Sequence, residues 1–167
     1  MNLQETVQLQ LGFWHNTLES MLNDCGDVLG ASVGGTTNTI AATYAHMLFA
    51  EDGIVNGMLA GKPLIYVGGG WQEKTGVPHP GSPALPAGWE INMKLEPWRE
   101  YAKAVYANTD AYLSQLTDTE VERKMQGPVG ETTVGWMVGA LLATHYPGHA
   151  GEIAALKGVH GLKGLPF

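Results

Sequence analysis

One cysteine, nine cationic side chains and no long apolar run are what this 167-residue sequence is short of, and each shortage removes a class of function. With Cys25 alone, no intramolecular disulfide can form and no paired-cysteine metal or redox motif exists, which fits a reducing compartment. The 9 Lys and Arg face 16 Asp and Glu, a net charge of -7. The cations are scattered, with Arg123 and Lys124 the one adjacent pair, so nothing clusters to neutralise phosphates. Neither a nucleic acid nor an anionic membrane surface is an expected partner. No apolar run approaches the roughly 20 residues of a membrane span. The start, Met1-Asn2-Leu3-Gln4-Glu5, lacks the basic and apolar regions of a signal peptide, so a cytoplasmic location is expected. Nucleotide-binding patterns are missing too: Gly68-Gly69-Gly70 does not extend to G-x-G-x-x-G, and residues 127–133 lack the lysine of a phosphate loop.

What is present is ample apolar material, 44% of residues, enough for one domain over residues 1–167. Val7, Leu11, Trp14, Leu18, Met21 and Leu22 recur at helical steps and predict a first helix over residues 3–24. A second is expected from the polar cap at residues 36–38 to residue 59, stopped by Gly61 and Pro63. Trp98, Ala102, Val105, Thr109, Tyr112 and Leu116 mark a third over residues 96–116, with Pro97 in its first turn. A short helical turn over residues 118–125 follows. The fourth helix runs from residues 132–133 to 158 on a stripe of Val134, Val138, Leu141, Leu142, His145, His149, Ile153 and Leu156. Trp136 and Met137 are expected in the core. No strand alternation exceeds residues 64–67. Residues 61–93, rich in Gly and Pro, form a long loop between helices two and three, a length usually tied to function or mobility, with Trp71 and Trp89 as its anchors. The expected fold class is all-α, a four-helix bundle.

The six histidines are not alike. His15 beside Trp14, His79 in the Pro-rich loop and His160 in the C-terminal tail read as surface or packing residues. His145 and His149 are spaced i, i+4, which on a helix puts both imidazoles on one face, one turn apart, as two nitrogen donors for a transition metal. The intervening Tyr146-Pro147-Gly148 is not the HExxH of a zinc protease, so that reading loses its general base. His46 lies inside helix two. At about 100° per residue, Thr39, Ala42, Thr43, Ala50, Gly53 and Gly57 fall within about 60° of it. Small neighbours leave room for a ligand, a metal or a closely packed helix. Glu152, seven residues beyond His145, returns to the same face as a hydrogen-bond partner for an imidazole, a fourth ligand, or a solvated charge. Glu51 and Asp52 point more than about 100° from His46 and are not expected ligands. Pro147 removes a backbone N–H between the histidines, so the helix is expected either to kink or to restart there.

A lone histidine in "TYAHMLFAEDGIVNGML" and the pair in "ATHYPGHAGEIAALKG" resemble the DinB/YfiT-like superfamily of metalloenzyme-like proteins. Chain length and helix order match that family over most of the sequence, the long loop apart. The resemblance implies up-down-down-up helix order, a homodimer, and a divalent ion, zinc or nickel, held by His46, His145 and His149 with Glu152 behind them. It implies a small-molecule substrate, with a bacterial low-molecular-weight thiol as co-substrate of an S-transferase. Three neutral imidazoles would leave coordination positions open, the arrangement of a catalytic site. The ion could then activate a thiol or a water. A non-catalytic metal-binding bundle and a metal-dependent hydrolase of a small substrate stand as the alternatives. Cys25, a lone cysteine near a helix end, is expected to be a buried small hydrophobe rather than a nucleophile.

Overall fold

The computed structural model describes residues 2–81 and 88–167; the stretch of the expected long loop at residues 82–87 lies outside the described residues. Helix α1 (Leu3–Met21) starts at a reciprocal cap. The Asn2 side chain accepts from the Glu5 backbone N–H, and the Glu5 carboxylate accepts from that of Asn2. Its core face is Val7, Leu11, Leu18 and Met21, and a 3₁₀ turn, Leu22–Asp24, ends it. Cys25 follows, fully buried, its thiol donating to the Met21 carbonyl at 3.1 Å. It packs as the small hydrophobe expected.

Helix α2 (Ile40–Asp52) is capped by Thr39, one residue beyond the polar trio at 36–38, and runs straight into a π-helical segment, Gly53–Leu59. Every residue of α2 except His46 is buried. A helix apolar on nearly all sides can only be a central one. After it come two short helices, α3 (Ile65–Gly68) and α4 (Trp71–Thr75). The loop expected at residues 61–93 is therefore partly helical, and its one short alternation becomes α3. Asp52 is the reason. Its buried carboxylate accepts from the backbone N–H groups of Ile65 and Tyr66, both at 3.0 Å, and so caps that helix. The same carboxylate accepts from Asn56 at 2.8 Å and from the Tyr101 hydroxyl at 2.9 Å. Trp71 packs on Tyr101 and Trp89 on Phe49, so both tryptophans anchor the segment as expected.

Helix α5 (Leu95–Ser114) buries Trp98, Tyr101, Ala102, Val105, Thr109 and Leu113. The helical turn expected over residues 118–125 stops at Glu122 as α6 (Asp118–Glu122), and a hairpin unseen in the sequence takes over. Strands β1 (Lys124–Gly127) and β2 (Gly130–Thr133) pair antiparallel from Lys124↔Thr133 to Gly127↔Gly130, leaving Pro128 and Val129 at the tip. Only Gly130, with φ +108°, makes the turn possible. The hairpin was invisible because its strands are only four residues long and carry no apolar alternation.

The last long stretch comprises α7 (Val134–Trp136), a second π-helical segment Met137–Leu142, and α8 (Ala143–Val159). Thr133 caps it by accepting from Trp136 N–H, as the threonine pair predicts. Met137 is in the core, but Trp136 is 36% exposed, contrary to expectation. Pro147 does not restart the helix: α8 continues through it. The carbonyl it would crowd belongs to Ala143, and the wider π-helical turns end on the residue before, which is where an irregular helix absorbs such a misfit.

The described residues are thus mainly helical with one small two-stranded sheet. Both α1 and α2 pack on α5 and α8, around one cluster that includes Leu11, Leu18, Tyr44, Leu48, Trp98, Val105, Tyr146 and Ile153. At one end, Lys157 of α8 donates to the Met21 carbonyl and to Asp24, tying the end of α1 to the end of α8. Among the described residues no helix is long and apolar enough to cross a membrane.

Asp52→Ala would strand several buried donors at once and should lower unfolding free energy by about 3–5 kcal/mol in chemical denaturation. The hydrogen bond from Lys157 holds the Asp24 carboxyl below its ordinary range. Its contribution is therefore complete above the ordinary value of 3.8 and disappears as pH falls through that value and below. The denaturant midpoint should drop on acidification over that window, and Asp24→Asn should flatten the dependence.

Candidate metal centre

His46 is the one residue through which α2 reaches out of the core, and it meets α8 side-on at the two histidines of that helix. The Nε2 atoms of His46 and His145 are 3.0 Å apart, although 99 residues separate them in sequence. Ring centroids lie 4.8 Å apart for His46 and His145, 4.8 Å for His46 and His149, and 4.5 Å for the α8 pair. One ring nitrogen from each of the three falls within 4.8 Å of the others. Nitrogens held about 2.1 Å from a common ion in tetrahedral geometry would be about 3.4 Å apart, so the spacing suits a shared cation.

Protonation supports the same fit. Burial, then the proximity of His149 and His46, pushes His145 down to about 3, so its imidazole is neutral, the ligating form. His149 Nδ1 lies 2.7 Å from Glu152 Oε2. That contact uses one nitrogen of the ring and orients the other toward the cluster, as a carboxylate does behind a ligating histidine. Of the three roles open to Glu152 in the sequence, the structure displays the hydrogen-bonded one, on a side chain 61% exposed.

A family model described as the DinB superfamily matches residues 12–153, the span that holds all three histidines and Glu152. The chain belongs to the DinB superfamily. Among solved structures, a conserved protein of Enterococcus faecalis is similar to it in fold, with 14% identity, a TM-score of 0.79, and coverage of 96% of this chain and 99% of that one. No curated protein matches it.

In this DinB superfamily protein two of the three imidazoles, those of His46 and His145, line a pocket of about 370 Å³. Ala50 and Gly53, two of the small residues on the His46 stripe, form part of its wall, so the room they leave is real and open rather than filled by a neighbouring helix. Sequence reasoning missed the rest of the wall: Ile54, Met58, Pro128 and Leu141. Gly53, Ile54 and Met58 sit in the first π-helical segment, Leu141 in the second, and Pro128 at the hairpin tip. No sequence pattern marks a π-helical segment, and the hairpin tip is brought in by tertiary contact alone. A faint signal existed in Gly127-Pro128 with Gly130, a turn composition.

The remaining histidines behave as packing groups. His15 is buried rather than superficial, stacked on Tyr106 at 3.7 Å with Nε2 3.0 Å from the Glu51 carboxylate. His79 packs edge-on to Phe49, and burial lowers its basicity. His160 ends α8. Glu51 and Asp52 point away from the triad, to His15 and to α3, as the helical projection predicts.

The purified protein should carry about one divalent ion per chain, and His149→Ala or His46→Ala should abolish it by elemental analysis with the fold retained by circular dichroism. Glu152→Gln should keep the fold and weaken metal affinity by about 10–100-fold in competition with a chelator.

Proposed function

We propose that this protein binds one divalent ion, zinc or nickel, through His46, His145 and His149, and uses it to transfer a thiol sulfur onto a small-molecule substrate. The observation that carries the reading is the convergence of three imidazole nitrogens within 4.8 Å beside an open pocket. An all-imidazole donor set suits zinc and nickel alike. An ion there would supply Lewis acidity and favour the thiolate form of a thiol placed against it. The long helices are read as one four-helix bundle domain in up-down-down-up order, with α2 and α8 carrying the ligands.

The chain's own residues fit a thiol reaction better than hydrolysis. Cys25 is buried and its thiol is pushed up by that burial, so the nucleophile has to arrive with the substrates. Among the described residues, the pocket wall includes no carboxylate to serve as a general base for water. Its apolar side chains exclude water from the reacting groups, and Glu152 holds the His149 ring in register. In the reaction, the sulfur forms a bond to an electrophilic carbon, the bond to the leaving group breaks, and the thiol proton passes to solvent.

The test is turnover of an electrophile such as 1-chloro-2,4-dinitrobenzene with a panel of low-molecular-weight thiols. Turnover should require both thiol and ion, and His149→Ala should lose it. Cleavage of an ester or amide without any thiol would instead establish a hydrolase.

A further inference from the structure

The wall of the pocket beside the triad is chemically one-sided. Among the described residues and apart from His46 and His145, it is lined by Ala50, Gly53, Ile54, Met58, Pro128 and Leu141, none of which carries a charge or a side-chain hydrogen-bonding group. Away from the two imidazoles, a polar group entering it would give up its hydration with no side-chain partner among the described wall residues, which is unfavourable. An apolar group entering it gains in proportion to the area it buries.

Gly53 adds room to that wall. Its backbone is ordinary right-handed helix, φ -63° and ψ -43°, so no conformational need calls for glycine. A Cβ at that position would meet no atom within 4 Å, so no packing need calls for it either. Glycine inside a helix costs about 1 kcal/mol relative to alanine. Here that cost leaves empty space in the pocket wall, three residues along the same stripe from Ala50 and seven from His46.

We propose that this pocket receives an uncharged aromatic or branched-alkyl body of the substrate, held next to the group that reacts at the triad. The inference rests on the metal-site reading for the position of the reacting group, but the apolar subsite itself stands on the wall alone. A charged or polyhydroxylated thiol is excluded as the occupant by the same lining, so the apolar body belongs to the molecule that accepts the sulfur. The volume of about 370 Å³ accommodates a substituted ring. Pro128 places the hairpin tip at the edge of the bound group.

Two measurements separate this inference from the metal reading. Toluene titrated into the metal-free protein should shift the methyl resonances of Ile54, Met58 and Leu141 selectively. Gly53→Phe should weaken that binding at least about tenfold, with Gly53→Leu as a smaller plug should the larger side chain disturb the fold. In the cobalt-loaded protein, benzohydroxamate should bind at least about tenfold more tightly than acetohydroxamate, about 1.4 kcal/mol. That preference should collapse in the Gly53 variants while cobalt stoichiometry stays at one. Absence of toluene shifts at these methyls, or equal affinity for the two hydroxamates, would overturn the apolar subsite and leave the metal reading intact. Failure of the protein to take up cobalt would sink the metal reading, and the toluene titration would still decide the subsite.

Discussion

Burial of α2 on every side but one is the constraint on which the rest of the structure depends. Because that helix is central, its polar residues need partners inside the protein, and each partner organises a different region. Asp52 caps α3 and holds Tyr101, which fixes the chain leaving α2 against α5. Glu51 pairs with His15 of α1, itself stacked on Tyr106 and edge-on to Tyr146. Buried charges are tolerated only when satisfied in this way. His46 is the exception, half-buried, turned toward α8 and the surface pocket rather than into the core.

The two π-helical segments give that exception its room. A π-helical turn is wider than an α-turn and shifts the face that follows it, and such segments concentrate at functional sites. One follows Asp52 and the other precedes Ala143, so each lies within a few residues of a clustered histidine or of the pocket wall. In α8 the buried line passes through Tyr146, Ala150 and Ile153, and His145 and His149 flank it at the rim. This departs from the stripe drawn through the histidines themselves, which treated the helix as uniform. The offset keeps both imidazoles half-buried: sheltered enough for His145 to stay neutral, and exposed enough to face a ligand.

Family membership and geometry meet at this site without duplicating each other. The match to the DinB superfamily covers residues 12–153, and the Enterococcus faecalis protein has the same fold at low identity. Neither speaks to what enters the pocket. That question turns on the wall, where among the described residues the side chains other than the two imidazoles are apolar and point to an apolar occupant.

The sequence by itself determined the long helices to within a few residues, because apolar periodicity and a polar cap such as the one at Thr132-Thr133 are local signals. It also singled out the three histidines that the fold brings together, since i, i+4 spacing and an Ala/Gly stripe are readable along one helix. The tertiary structure alone decided that His46 meets a pair 99 residues away, since proximity between helices leaves no trace in the periodicity of either. It alone decided that α3 replaces a loop, through a carboxylate thirteen residues upstream, and that the 124–133 hairpin delivers Pro128 to the pocket. Each depends on a contact between segments whose own local preferences are weak, so packing rather than propensity set the outcome.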